Sequence, residues 1–170
     1  MDTFFEQIVS VRKSGKAIAA ITGIWLLALL LSVLLFLFPF LGSLNILLIC
    51  GILFGAFKLC GKFNLEYEYI ITNGTMDIDR IINKSSRKRE LSLELSTVSR
   101  IEKFNAGLLN SINRQSLTVA CDENAADAYL LVAEREGKGS AYLVFEPDER
   151  LKGAIVKFVP KFVANSAFKS

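Results

Sequence analysis

Histidine is absent from the sequence. Its absence removes Ser–His and Cys–His dyads, together with every metal site that needs an imidazole. Cysteine is sparse and odd in number, and Cys50, Cys60 and Cys121 form no CxxC. They provide no disulfide framework and suit a reduced, cytosolic setting. Proline occurs three times in 170 residues, so each one reads as punctuation. The most informative absence is charge. Between Lys16 and Lys58, the 41 residues from Ala17 to Phe57 contain no Asp, Glu, Lys or Arg. As one helix they would measure roughly 60 Å, about twice the ~30 Å hydrocarbon core of a bilayer. Pro39-Phe40-Leu41-Gly42-Ser43 sits near the middle and carries turn residues. The economical reading is two transmembrane helices in a hairpin.

Excess positive charge is confined to the flanks of that hairpin. Before Phe63, five basic residues (Arg12, Lys13, Lys16, Lys58, Lys62) face two acids (Asp2, Glu6), and from Phe63 onward there are fifteen of each sign. The pI near 8.8 is therefore no argument for nucleic acid. Short flanks rich in Lys and Arg stay in the cytoplasm, and the connecting turn has no charge, so both termini are expected inside. A cleaved signal peptide is not expected, because the apolar run is far too long and two acids precede it. The sequons Asn73-Gly74-Thr75 and Asn83-Lys84-Ser85 then fall on the cytosolic side and read as turn chemistry.

Residues 1–16 form an N-terminal juxtamembrane segment. Thr3-x-x-Glu6 matches a capping box, and Phe4, Phe5, Ile8, Val9 and Arg12 follow at helical spacing. Two readings stay open: a short helix in the headgroup region, or a frayed tail. Residues 17–60 hold the hairpin, with spans near Ala17 to Phe38 and Leu44 to Cys60, Lys58 snorkelling toward the headgroups. Gly51 and Gly55 form a GxxxG, and Ala19 and Gly23 a small-xxx-small pair, which let helix backbones approach closely. Packing within the hairpin is the favoured use of these residues; a homo-oligomer contact is the other. No ionisable group lies deep in either span, so no ion or proton pathway is suggested.

Residues 63–160 change period. Leu65, Tyr67, Tyr69 and Ile71 alternate with Glu66, Glu68 and Thr72, which is strand patterning. Asn73-Gly74 is a strong hairpin signal, and Met76, Ile78 and Arg80 then alternate with Asp77 and Asp79. A polar loop is expected from Asn83 to Lys88, followed by strands at Leu91 to Leu95, Val98 to Phe104, Ser116 to Ala120, Tyr129 to Arg135 and Ser140 to Phe145. Asn105 to Gln115 reads as a loop with one helical turn at most, and Gly137-Lys138-Gly139 as a hairpin turn. Pro147, Asp148 and Glu149 open a helix whose Leu151, Ala154, Ile155 and Phe158 make one apolar stripe, and Pro160 stops it. Residues 161–170 are expected to be a loose tail, with Phe162 and Val163 able to pack back.

About seven antiparallel strands with one C-terminal amphipathic helix is the plan of a PH-like barrel. The stretch from Glu68 to Lys84, with its Tyr-x-Ile-x-Asn-Gly hairpin, and the Leu91 to Ile101 segment resemble the opening of bacterial membrane-anchored PH-like proteins. The closest resemblance is to a small family from Clostridia-type bacteria. It implies a barrel plugged at one end by the helix, preceded by a pair of transmembrane helices in a bacterial inner membrane. It carries no catalytic residues.

Candidate chemistry is thin. Asp77 and Asp79 share a strand face and read as solvent-facing rather than as a cation or acid–base pair. Lys84, Arg87, Lys88 and Arg89 place four basic residues in six, beside a membrane that attracts them. No cofactor, metal or nucleic-acid partner is expected. The expected function is a membrane-anchored interaction or scaffolding module, with anionic headgroups, a second copy or another membrane protein as partners. An anionic-lipid sensor reading headgroups through the basic cluster is the first alternative. An enzyme or enzyme subunit at the inner membrane is the second.

Overall fold

The charge-free stretch folds as two antiparallel helices, Gly15–Leu37 (α1) and Leu44–Gly61 (α2). In the computed structural model the described residues are 3–38, 42–105, 107–108, 112, 114–122, 125–135, 137 and 139–168. Pro39, Phe40 and Leu41 of the expected turn lie outside them, as do Lys138 and parts of Asn105 to Gln115. Ser14 caps α1, its Oγ accepting from the Ala17 amide. At the other end Asn45 Nδ2 donates to the carbonyls of Leu35 and Phe38 at 3.1 and 3.4 Å, so the start of α2 closes the end of α1. The least exposed positions are Ala17, Ile21, Ile24, Ala28, Ser32 and Leu35 on α1, with Asn45, Ile49, Ile52, Gly55, Ala56, Cys60 and Gly61 on α2. They recur at spacings of three and four, mostly, and form the seam between the helices.

The chain divides into two units, one comprising 12–65 with 82–86, the other 1–11, 66–81 and 87–170. The second unit holds eight strands. Phe4–Ser10 (β1), Leu65–Thr72 (β2), Thr75–Ile82 (β3) and Ser86–Glu94 (β4) form a sheet in that order. Val98–Lys103 (β5), Leu117–Val119 (β6), Tyr129–Arg135 (β7) and Gly139–Phe145 (β8) form another, ordered β5-β7-β8-β6. Seven strands match the sequence reading, and the eighth, β1, overturns the interfacial helix or frayed tail expected for the N-terminal segment. It pairs antiparallel with β2 from Phe4↔Thr72 to Ser10↔Glu66. The hairpin is thus inserted in the chain between two paired strands. Its capping-box pattern is not used, because Phe5 and Val9 gain a core and a ladder that an isolated helix would not supply.

Asn73 and Gly74 have φ of 49° and 92°, the left-handed turn that the β2–β3 hairpin requires. The polar loop expected over Asn83 to Lys88 is shorter than that. Asn83 and Lys84, at φ of 52° and 54°, make a tight turn, and Arg87, Lys88 and Arg89 lie on β4. A second departure is β6, which pairs parallel with β8 at the edge of its sheet.

Both sheets turn one face to a common core: Tyr69, Ile71, Met76, Ile78, Leu91 and Leu93 from one, Val98, Ile101, Leu131, Leu143 and Phe145 from the other. Glu149–Phe158 (α3) plugs it with Leu151, Ala154 and Ile155, and Asp148 caps the helix through its carboxylate on the Leu151 amide at 2.7 Å. Residues 161–168 of the tail expected to be loose are ordered: Lys161–Ser166 (α4) buries Val163, and Phe168 meets Tyr129 edge-on at 5.0 Å. Phe162 stays exposed. The outer face of β7 carries a smaller cluster, in which Cys121, Ala128, Leu130 and Val144 are covered by Phe104, Leu108 and Ile112.

Candidate functional site

The basic cluster is the one chemical feature that the sequence singles out, and β4 decides what it can do. Arg87 donates both guanidinium nitrogens to Glu68 on β2, at 2.9 and 3.0 Å. Arg89 spans two carboxylates of β3, with Nη1 2.8 Å from Asp77 and Nε 2.9 Å from Asp79. Lys88 stands 3.9 Å from Glu90, which Arg80 approaches to 3.0 Å. Arg87 and Arg89 share their face with Ser92, which donates to Asp77, yet Leu91 and Leu93 enter the core. The alternation of β4 therefore breaks between Arg89 and Leu91, as in a bulged strand. That break lets the two arginines cross the sheet to their carboxylates.

The cluster is therefore largely matched within the domain. Asp77 and Asp79 occupy the expected face, but Asp79 is buried at 4% exposure rather than solvent-facing, and Glu68 at 1%. Burial pushes the Glu68 carboxyl above its ordinary range; Arg87 opposes the rise, while Glu6, hydrogen-bonded to it, and Asp79 add to it. A buried carboxylate of this kind is acceptable only while it is paired. Lys84, in the turn, has no carboxylate partner among the described residues and is exposed. Of the four predicted contacts, Arg87 and Arg89 are tied to structural ion pairs, Lys88 is loosely held and Lys84 stands apart.

Arg87→Ala checks the structural role. It leaves Glu68 buried without its counter-charge, and because Arg87 is half exposed the cost is about 1–2 kcal/mol at neutral pH. The folded-state pKa of Glu68 is raised already and rises further in the variant. Stability therefore falls as pH climbs from the unfolded-state value through the folded one, and returns as pH falls and Glu68 takes its proton. Urea midpoints of both proteins across that window should diverge toward neutrality and converge in acid.

The helix-packing candidates are placed differently from the favoured reading. Ala19, Gly23 and Gly51 are exposed and Gly55 is half-buried. A methyl group added at Gly23, Gly51 or Gly55 would meet nothing within 4 Å. The buried apolar positions of the hairpin are Ala28 and Ala56, the latter next to the half-buried Gly55.

Sequence reasoning missed Gln7. From β1 its amide donates to the Glu146 carbonyl and accepts from the Asp148 amide, both at 2.9 Å, tying the first strand to the start of α3. Beside it lies a groove of about 380 Å³ that includes Val9, Asp127, Glu146, Asp148 and Lys152. Lys152 is held there by Glu149 at 2.8 Å and by the Tyr129 ring at 5.0 Å from its centroid. Among the described residues no three carboxylates or thiols are grouped as metal ligands.

The model of the family described as Bacterial PH-like domain (DUF6106) matches residues 1–165, a span that takes in β1, the hairpin and both sheets alike. No curated protein matches the chain, and no solved structure does.

Proposed function

The chain belongs to this bacterial PH-like domain family, and on that premise we propose that it is a membrane-anchored interaction module whose barrel works in the cytosol. The observation that carries the reading is the outward surface of the hairpin. Leu26, Phe36, Ile46 and Leu47 are 63%, 78%, 70% and 68% exposed, amid many apolar neighbours in the same condition. Soluble proteins rarely expose a contiguous apolar patch above a few hundred Å². A helical hairpin also satisfies its own backbone along its length, as hydrocarbon demands. The basic residues on both flanks support cytosolic ends.

The side chains available support a binding role over a catalytic one. The sequence has no histidine to act as a base near neutrality. The Cys121 thiol is pushed up to about 11, first by burial and then by Glu146 and Asp122, so it is protonated at neutral pH. The two sheets and the C-terminal helices packed on them offer a surface on which a partner could dock.

Topology reporters test the reading. A reporter active only in the cytosol, fused after Ser170, should be active, and one active only outside, placed within 41–43, should be active too. A silent cytosolic reporter with an active external one after Ser170 would put the domain on the other side and sink the proposal.

A further inference from the structure

Resting on the membrane-anchored reading, we propose that Lys13, Lys16, Lys58, Lys62 and Lys84 form a docking surface for anionic phospholipid headgroups. Four of these flank the hairpin. Lys13 precedes α1, Lys16 lies in its first turn, Lys58 lies in the last turn of α2, and Lys62 is its C-cap. An antiparallel pair brings these two ends together. Lys84 reaches the same place from the β3–β4 turn. The Asn83 amide donates to the Asn64 carbonyl at 2.8 Å, and Asn64 Nδ2 donates to Asn83 Oδ1 at 3.4 Å. The Asn83 side chain lies against Gly61, where a Cβ would stand 2.8 Å from it. The turn is thereby clamped on the end of α2, and Lys84 joins the other four.

Segments 12–65 and 82–86 contain no Asp or Glu, and all five lysines are exposed. Arg87 and Arg89, by contrast, spend their charge on Glu68, Asp77 and Asp79. An exposed cationic ring at the end of an apolar hairpin fits an anionic leaflet surface. Each basic residue beside such a surface strengthens attraction about fivefold, the equivalent of ~1 kcal/mol. The contact moves the lipid-reading role from the β4 arginines to the collar, with Lys84 the residue common to both.

The test uses the full chain reconstituted in phosphatidylcholine vesicles carrying spin-labelled phosphatidylglycerol or spin-labelled phosphatidylcholine as tracer. The relative association of the two tracers is read at fixed ionic strength, and a carbonate wash of the same vesicles reports integration. Wild type should resist the wash and prefer the anionic tracer. Lys84→Ala should lower that preference about two- to fivefold, and Lys58→Ala/Lys62→Ala/Lys84→Ala should remove most of it. Integrated wild type with equal association for both tracers, or full preference in the triple variant, would overturn the collar alone. Loss of preference to added inorganic phosphate would identify a free anion as the ligand and overturn it as well. A chain stripped by carbonate would overturn the membrane reading, and the collar with it.

Discussion

A chain in which Asn-Gly replaces residues 11–65, linking Ser10 to Glu66 through a two-residue turn, is expected to fold as a soluble domain, and a chain beginning at Phe63 is not. Ser10 and Glu66 are register partners, so a two-residue turn of the type found at Asn73-Gly74 can connect them. The turn would restore the strand that the shorter chain lacks. Without β1 the sheet loses seven paired positions, the cover that Phe5 and Val9 lay on the core, and both bonds from Gln7 to the start of α3. The expected loss is on the order of 5 kcal/mol or more, most of the stability of an ordinary domain. Urea unfolding followed by circular dichroism should give a cooperative transition for the fused chain and a broad, early one for residues 63–170. Equal midpoints would mean that β1 is an accessory to the barrel, and the insertion would lose its structural meaning.

The same strand marks the limit of what the residues alone disclose. The hairpin and the β2–β3 turn were legible because their signals are local: a charge-free run, and an Asn-Gly between alternating residues. β1 was not. It carries apolar residues on both faces, Phe4 and Ile8 outward with Phe5 and Val9 inward, so no period of two stands out. Its partner begins beyond the whole hairpin, and only the long-range register supplies the reason for a strand. The basic cluster was legible as a cluster but not as a set of ion pairs. Pairing Arg87 with Glu68 and Arg89 with Asp77 and Asp79 depends on strand order and on the break in β4, neither of which residue spacing encodes. The glycines illustrate a third limit. Gly51 and Gly55 are a recognisable face, but which face of a helix meets its neighbour is set by the seam, and here the buried apolar position of α2 is Ala56, next to the half-buried Gly55.

Tyr69→Ala is expected to cost about 3–5 kcal/mol, and Tyr69→Phe about 1–2 kcal/mol, because the ring and the hydroxyl do separate work. The ring is fully buried and meets Phe145 edge-on at 5.8 Å across the two sheets. Removing it opens a cavity between them. The hydroxyl donates to the Ala120 carbonyl and accepts from the Glu146 amide at 3.3 Å. Ala120 in turn donates to the Val144 carbonyl at 2.8 Å, continuing the short parallel edge of β6. Losing the hydroxyl should therefore loosen that edge first, and hydrogen exchange at the Ala120 amide should accelerate in Tyr69→Phe more than exchange within β7. Alkaline titration separates the two roles again. Burial pushes the Tyr69 phenol up, so the folded state resists its ionisation and wild-type stability falls as pH rises above about 10. Tyr69→Phe has no phenol there to ionise, and its urea midpoint should decline less over that range. A Phe variant as unstable as the Ala variant would assign the whole effect to the hydroxyl, and one indistinguishable from wild type in midpoint, exchange and alkaline response would remove the hydroxyl from the account.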